Sequence, residues 1–349
     1  MDLWYNAHSR AGTLPEPYRG LSLRELTDAL GVAYHAVVPD FLGSRSPDDT
    51  VDRGLGIYHR LRRCSAAAAV LKGMAFETRL DEVEREVLAG PDLTRVLYQT
   101  PVGSVSCAFR YTEEMRRAGT SISWVVEHAI KDPSDYRVLE HIFSHLEVVP
   151  TYEEYRAWQR WVGEAGVAVA YGNAAASPMQ HIMRDLMPMT DFFLELHDCP
   201  ERLIGLARSM ERWFTGIFTA LAESPAEIVF VGGNYDSTIT YPPFFEEHIL
   251  PWLARAAEAA HARGKLLLTH TDGENAGLMH LYRRAGFDIT AAGLLRSPRG
   301  ADSLCPAPMT KLTLAEAMAE LPGITIWAGR FGQCARIVRT SFRGRFVRA

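Results

Sequence analysis

His270, Asp272 and Glu274 alternate along the stretch His270-Thr271-Asp272-Gly273-Glu274, which sets an imidazole close to two carboxylates. Residues two apart at the end of a strand point to one side, so His270 and Asp272 can chelate one metal ion or form an orienting imidazole–carboxylate pair. Cys305, beyond the next predicted strand, can add a thiolate, which gives the candidate metal set His270, Asp272, Glu274 and Cys305. The plainer alternative is that His270 hydrogen-bonds locally while Asp272-Gly273 makes a turn and caps the next helix. Asn234-Tyr235-Asp236, after Gly232-Gly233, brings another carboxylate that can face a substrate; its alternative is an Asx turn leading to Pro242-Pro243. Tyr171 and Asn173 close a third apolar run. Cys305 also fits as a small apolar loop residue before Pro306, and Met309 as packing. His248, His261 and His280 fall in predicted helices and read as structural or exposed, while His181, near a helix start, is a candidate to line a pocket.

The elements that must position these groups are legible in the second half of the chain. Val167–Tyr171, Ile228–Val231, Lys265–His270, a short run near Phe287–Ile289 and Ile324–Trp327 read as strands. Between them Leu203, Leu206, Ala207, Met210, Trp213, Phe214, Ile217 and Leu221 recur at helical spacing. Helices are also predicted over Leu253–Arg263, closed by Gly264, and over Leu278–Ala285. Ser22 with Glu25, Asp198 with Glu201, and Thr313 with Glu316 have the spacing of capping boxes. Fully apolar strands alternating with amphipathic helices predict a parallel sheet covered by helices. No GxGxxG follows the first strand and no GxxxxGK[ST] occurs, so the pattern favours a β/α barrel over a doubly wound nucleotide-binding fold. In such a barrel the active site lies at the carboxyl ends of the strands, where the polar residues above fall. Earlier in the chain, alternation between Arg95 and Arg110 predicts two short strands around Thr100–Ser104, and Asp81–Glu86 reads as a solvated charged face. Thr290–Asp302 reads as a long loop.

The 349 residues carry a net charge of −5 and are 47% hydrophobic, an ordinary globular balance with no electrostatic call for nucleic acid or a membrane surface. No apolar run approaches the roughly 18 residues of a membrane span, and Met1–Asn6 lacks the pattern of a signal peptide. Five scattered cysteines, none in a CxxC pair, suit a reducing cytoplasm. With no linker or internal repeat, residues 1–329 read as one domain. The tail 330–349 has six Arg and no Lys or acid, so the remainder carries −11. That tail reads as a basic end or as a replacement of the natural terminus. A barrel ending at Gly329 would leave its last strand unpaired, which a homodimer would cover.

The order of short motifs resembles the uroporphyrinogen decarboxylase superfamily over nearly the whole length to Gly329. The shared stretches are Arg10-Ala11-Gly12 with Leu14-Pro15-Glu16, Thr100-Pro101-Val102-Gly103, and Gly233-Asn234-Tyr235-Asp236. They continue with Pro243 ahead of Ile249-Leu250-Pro251, His270-Thr271-Asp272-Gly273, Pro306-Ala307-Pro308-Met309 with Leu314-Ala315-Glu316-Ala317, and Ile326-Trp327-Ala328-Gly329. The resemblance implies a (β/α)8 TIM-type barrel, incomplete here at its C-terminal end.

True decarboxylases of the family carry an Arg-Gln-Ala-Gly-Arg loop that grips the porphyrinogen carboxylates. Ser9 and Thr13 stand at both arginine positions here, so porphyrinogen decarboxylation is disfavoured. The resemblance is nearer to the cobalamin-dependent methyltransferase branch, which moves a methyl group between a small methylated substrate, such as a methyl ether or methylamine, and a corrinoid on a partner protein. Zinc-binding members of that branch use His-x-Cys on this strand and a later cysteine; this chain has His270-x-Asp272. A metal on His270, Asp272 or Glu274 with Cys305 would polarise the leaving atom. Without metal, Asp272 or Asp236 would be a general acid whose pKa is raised by burial. Tyr171, Asn234, Tyr235 and Arg10 are then the substrate-binding candidates. The alternatives are a carboxy-lyase for a smaller acid anchored by Arg10, and an inactive binding member of the fold.

Overall fold

The computed structural model describes residues 8–9, 12–31, 34–36, 54–57, 61–62, 74–118, 123–271, 273–291 and 314–326. Arg10, Asp272, Cys305, Met309, Thr313, the predicted loop beyond residue 291 and the tail 330–349 therefore lie outside the described residues.

Helix α1 (Leu23–Ala29) opens with the expected capping box: the Glu25 N–H donates to Ser22 Oγ at 3.2 Å, and the Ser22 N–H to Glu25 Oε2 at 2.8 Å. Strands β1 (Tyr34–Ala36), β2 (Leu61–Arg62) and β3 (Phe76–Leu80) follow. An antiparallel sheet of β4 (Glu84–Ala89), β5 (Leu93–Thr100), β6 (Gly103–Arg110) and β7 (Trp124–Glu127) comes next, with α2 (Glu113–Arg117) between its last two strands. The β5–β6 hairpin turns at Pro101-Val102, where Thr100 Oγ donates to the Gly103 carbonyl at 2.8 Å, matching the spacing read from the sequence. The second half of the charged run, from Glu84, belongs to a strand and is not only a solvated face. β5 supplies its backbone partners while most β4 side chains stay in water.

Helix α3 (Pro133–Ser144) starts from Asp132, with Asp135 completing a reciprocal cap, and leads directly into β8 (Leu146–Pro150). β8 pairs antiparallel with β3 so that Leu80 faces Leu146, and β2 completes this three-stranded sheet. After α4 (Tyr152–Val162) the chain enters the parallel part with β9 (Gly166–Tyr171). Helix α5 (Pro178–His181) widens into a π turn over Ile182–Leu186, and α6 (Met189–Asp198) and α7 (Pro200–Glu223) follow. The capping box expected at Asp198–Glu201 is not formed. α6 runs through Asp198, so Cys199 takes the N-cap position without a side-chain bond, and Asp198 pairs with His197 instead.

Strand β10 (Ile228–Gly233) precedes α8 (Pro242–Phe244, continued as a π turn to Ile249) and α9 (Leu250–His261). Strand β11 (Leu266–His270), helix α10 (Met279–Ala285), strand β12 (Ile289–Ala291), helix α11 (Leu314–Glu320) and strand β13 (Thr325–Ile326) complete the described chain. Thr290 and Ala291, expected at the start of a loop, belong to β12.

The six strands β1-β9-β10-β11-β12-β13 lie in that order and every neighbouring pair is parallel. This is the predicted α/β architecture. Among the described residues the sheet stays open, with β1 and β13 at its edges. Its two faces differ because successive side chains alternate. Ala168, Ala170, Val229, Val231 and Leu267 join the main core, where the α7 stripe from Leu203 to Leu221 is buried. Val169, Tyr171, Ile228, Leu268 and Ile289 form a smaller cluster with Met74 on the other face. No helix of the described residues is long and apolar enough to cross a membrane.

Candidate functional site at the strand ends

β10 and β11 pair in register up to Phe230 and Leu268, but the next pair is Gly233 with His270, so β10 holds one extra residue. This bulge needs Gly232: its φ is +77°, and a Cβ there would lie 2.2 Å from Tyr235 Oη and 2.6 Å from Ala176 Cβ. The bulge carries Asn234 past the end of the sheet. Asn234 keeps the left-handed conformation (φ +57°), donates its backbone N–H to the His270 carbonyl at 3.1 Å, and leaves its side chain exposed. Asparagine tolerates this conformation better than most residues.

The loops after β10 and β11 are tied through Asp236. Its Oδ1 accepts the N–H groups of Thr238 at 2.8 Å and Ile239 at 3.3 Å, and its Oδ2 accepts that of Glu274 at 2.9 Å. Ser237 N–H donates to the Glu274 carbonyl at 2.7 Å. Gly273 allows the close approach, since a Cβ there would stand 2.6 Å from the Tyr235 carbonyl oxygen. Burial alone pushes the Asp236 carboxyl up, but the donated N–H bonds outweigh it and hold the group below its ordinary value. Asp236 is thus ionised at neutral pH. The expectation of a burial-raised acid at this position is corrected, because its lone pairs are engaged by backbone donors.

The other predicted residues separate by depth. Tyr235 is fully buried, bonds Thr269 Oγ at 2.9 Å, and packs on Phe245 and Tyr282. Burial pushes its phenol well up. Tyr171 is buried on the opposite sheet face, edge-on to Phe230. Asn173 is buried too, its carbonyl accepting the Gly232 N–H at 2.8 Å, and neither polar atom of its side chain has a hydrogen-bond partner among the described residues. Gln180, which the sequence did not suggest, braces the site: its amide donates to the Gly233 carbonyl at 2.9 Å and accepts the Ala176 N–H at 2.7 Å. His181 is in the core and not at a pocket edge, enclosed by Phe143, Trp213 and Phe214, with Nε2–H donating to the Leu55 carbonyl at 2.7 Å. His261 and His280 are exposed, and His261 pairs with Asp288. His248 is half-buried against Phe244.

Of the candidate metal set, His270 and Glu274 are described and both are half-buried. Glu274 Oε1 accepts the Ala276 N–H at 3.0 Å and so caps the turn before α10. Neither belongs to a group of three ligand atoms close enough to share an ion among the described residues. The other two members of the set, Asp272 and Cys305, lie outside the described residues. A three-ligand group does form elsewhere, from Glu82, His141 and His145. The sequence did not single these residues out; the signal that could have found two of them is the i, i+4 spacing of His141 and His145.

No family model matches the chain, and no curated protein matches it. Among solved structures, a methyltransferase from Methanosarcina mazei aligns over 99% of this chain and 99% of its own, with a TM-score of 0.40 and 10% identity. The chain is similar to that protein at this level and no further.

Proposed function

We propose that this chain is a cytoplasmic methyltransferase of (β/α)8 architecture that moves a methyl group between a small methyl ether or methylamine and a corrinoid carried by a partner protein. The ordered set of motifs from Arg10 to Gly329 supports this reading. The structural observation that carries it is the strand-end arrangement, with the bulge at Gly232 presenting the exposed amide of Asn234 beside His270. The corrinoid, a co-substrate, supplies the nucleophile that receives the methyl group.

The protein's own task is to hold the substrate and protonate the oxygen or nitrogen that the methyl leaves. Asn234 orients the substrate through its amide. Asp236 is ionised and positions the two loops, so proton delivery falls to Asp272 or to His270 as imidazolium.

The test is to incubate the purified chain with reduced cobalamin and a panel of methyl ethers and methylamines, following corrinoid methylation by absorbance. Enzyme-dependent methylation that falls about tenfold or more in Asn234→Ala, which loses one orienting hydrogen bond, and at least about 100-fold in His270→Ala supports the assignment, since an acid–base group contributes roughly 10²–10⁴-fold. Carbon dioxide release from a small acid without corrinoid would replace it by a carboxy-lyase. Methylation unchanged in both variants would remove the site from the strand ends.

A further inference from the structure

We propose that Glu82, His141 and His145 bind one zinc ion, at a site belonging to the three-stranded sheet and α3 and independent of the methyl-transfer reading. The fold builds this corner by register. Pairing of Leu80 with Leu146 sets the turn after β3 against the junction between α3 and β8, where His145 is the last residue before the strand. His141 lies one helical turn earlier and projects to the same side.

The geometry is that of ligands awaiting an ion. The Glu82 Oε2 atom stands 3.8 Å from His141 Nε2 and 3.5 Å from His145 Nε2. Ligands ~2.0–2.2 Å from zinc in a tetrahedron stand ~3.3–3.6 Å apart, close to these separations and too far for strong direct hydrogen bonds. His145 Nδ1 lies 2.7 Å from the His141 carbonyl, which can only accept, so Nδ1 carries the proton and Nε2 keeps a lone pair when the ring is neutral. Such a second bond, which fixes tautomer and ring orientation, typifies histidines that hold metals. His141 Nε2 is buried and has no hydrogen-bond partner among the described residues.

The rings stack with centroids 4.1 Å apart and planes 28° from parallel, an arrangement that two imidazolium cations would oppose. Glu82 holds a left-handed backbone (φ +56°), which is uncommon for a residue other than glycine, asparagine or aspartate. The corner lies at the C-terminal end of α3, where helix carbonyls favour a cation.

The donor set narrows the metal to a borderline divalent transition ion, and zinc is the one proposed; iron(II) takes the same donors. Two imidazoles and one carboxylate suit zinc; magnesium and calcium prefer oxygen donors, and copper(I) prefers sulfur. Glu82 is exposed, so the fourth position opens to solvent and takes water. Bound there, zinc would fasten the start of the β4–β7 sheet to α3.

The test uses the full chain, stripped with chelator and titrated with zinc in competition with a chromogenic chelator at pH 7.5. One equivalent should bind and resist an excess of magnesium. Because losing even an outer-shell partner weakens metal binding about 10–100-fold, His141→Gln and His145→Gln should each weaken zinc more than ~100-fold, and Glu82→Gln at least ~10-fold. His270→Ala should bind zinc like wild type. Cobalt(II) in place of zinc should show the ligand-field bands of a low-coordinate nitrogen and oxygen site, and no thiolate charge transfer. Zinc retained in the His141 and His145 variants, zinc lost in His270→Ala, a thiolate band, or no binding at micromolar zinc to a chain that circular dichroism shows folded would each overturn the proposal. No turnover is measured, so failure here and failure of the methyl-transfer reading are separate results.

Discussion

The loops after β10 and β11 and the corner between the β3–β4 turn and α3 both gather histidine and carboxylate, yet they use them in opposite ways. At the strand ends the Asp236 carboxylate accepts three backbone N–H groups, and the Asn275 amide donates to the carbonyls of Thr271 at 3.0 Å and Gly273 at 2.7 Å. Thr271 and Thr290 share a further hydrogen bond at 2.6 Å. At the corner, Glu82 faces two imidazole nitrogens at ion-pair distance without a hydrogen bond. Lone pairs engaged by backbone donors can only position what surrounds them. Lone pairs left converging on one point can bind something. The difference divides carboxylates that sequence alone cannot tell apart.

The largest effect should come from the bulge on which the strand-end loops depend. Gly232→Ala forces a Cβ into Tyr235 and Ala176 at positive φ. A left-handed conformation costs ~1–2 kcal/mol and overpacking ~1–3 kcal/mol, so a loss of about 2–5 kcal/mol is expected in urea unfolding. A loss under about 1 kcal/mol would show that the loops do not need this close approach.

Asp236→Ala comes next. It removes one carboxylate from three backbone donors, and a bond at such exposed or half-buried donors is worth ~0.5–1.5 kcal/mol. The pH dependence carries the sharper information. The carboxyl is held below its ordinary value when folded, so its stabilisation is fully present above the unfolded pKa of about 3.9 and is lost as pH falls through the lower folded value. The stability gap between wild type and Asp236→Asn should therefore be flat from neutral pH to about pH 5 and shrink in stronger acid. A gap widening toward acid would mean a raised pKa and would return Asp236 to the role of proton donor.

Tyr235→Phe should cost about 1 kcal/mol, the usual net worth of a hydrogen bond such as the one to Thr269. The difference absorbance between the two proteins should show no phenolate forming through pH 10, where an ordinary tyrosine is half ionised. Phenolate appearing near that pH would put the ring at solvent, in reach of a substrate.

The contrast between the two regions also explains what the sequence could disclose. Local chemistry was legible: Ser22 with Glu25 caps α1, Thr100–Gly103 turns a hairpin, and the spacing from Leu203 to Leu221 buries one face of α7. The rhythm of apolar strands and helices disclosed the parallel sheet. What stayed hidden depends on partners far along the chain. The N–H that helps hold Asp236 ionised belongs to Glu274, 38 residues later. His141 and His145 show their helical spacing, but Glu82 joins them only through the β3–β8 register. Asp198 failed as a cap for a local reason, since the preceding helix had already claimed it.

Asn234→Gly should have the smallest effect on stability and the most selective effect on function. Asn234 already occupies the left-handed region, which glycine enters without penalty, and its exposed side chain supports no packing. The conformational freedom that glycine adds to the unfolded chain opposes this gain, so the unfolding midpoint should move by no more than a few tenths of a kcal/mol. If the amide orients the substrate, methyl transfer should still fall by about tenfold or more, because a lost hydrogen bond to substrate costs roughly 1.4 kcal/mol for each factor of ten. Asn234→Asp tests the same point from the other side, keeping size and one acceptor while adding charge. Activity that follows stability in both variants, with no separate loss, would mean that Asn234 is one more part of the scaffold. The side chains that engage substrate would then lie on other strand ends.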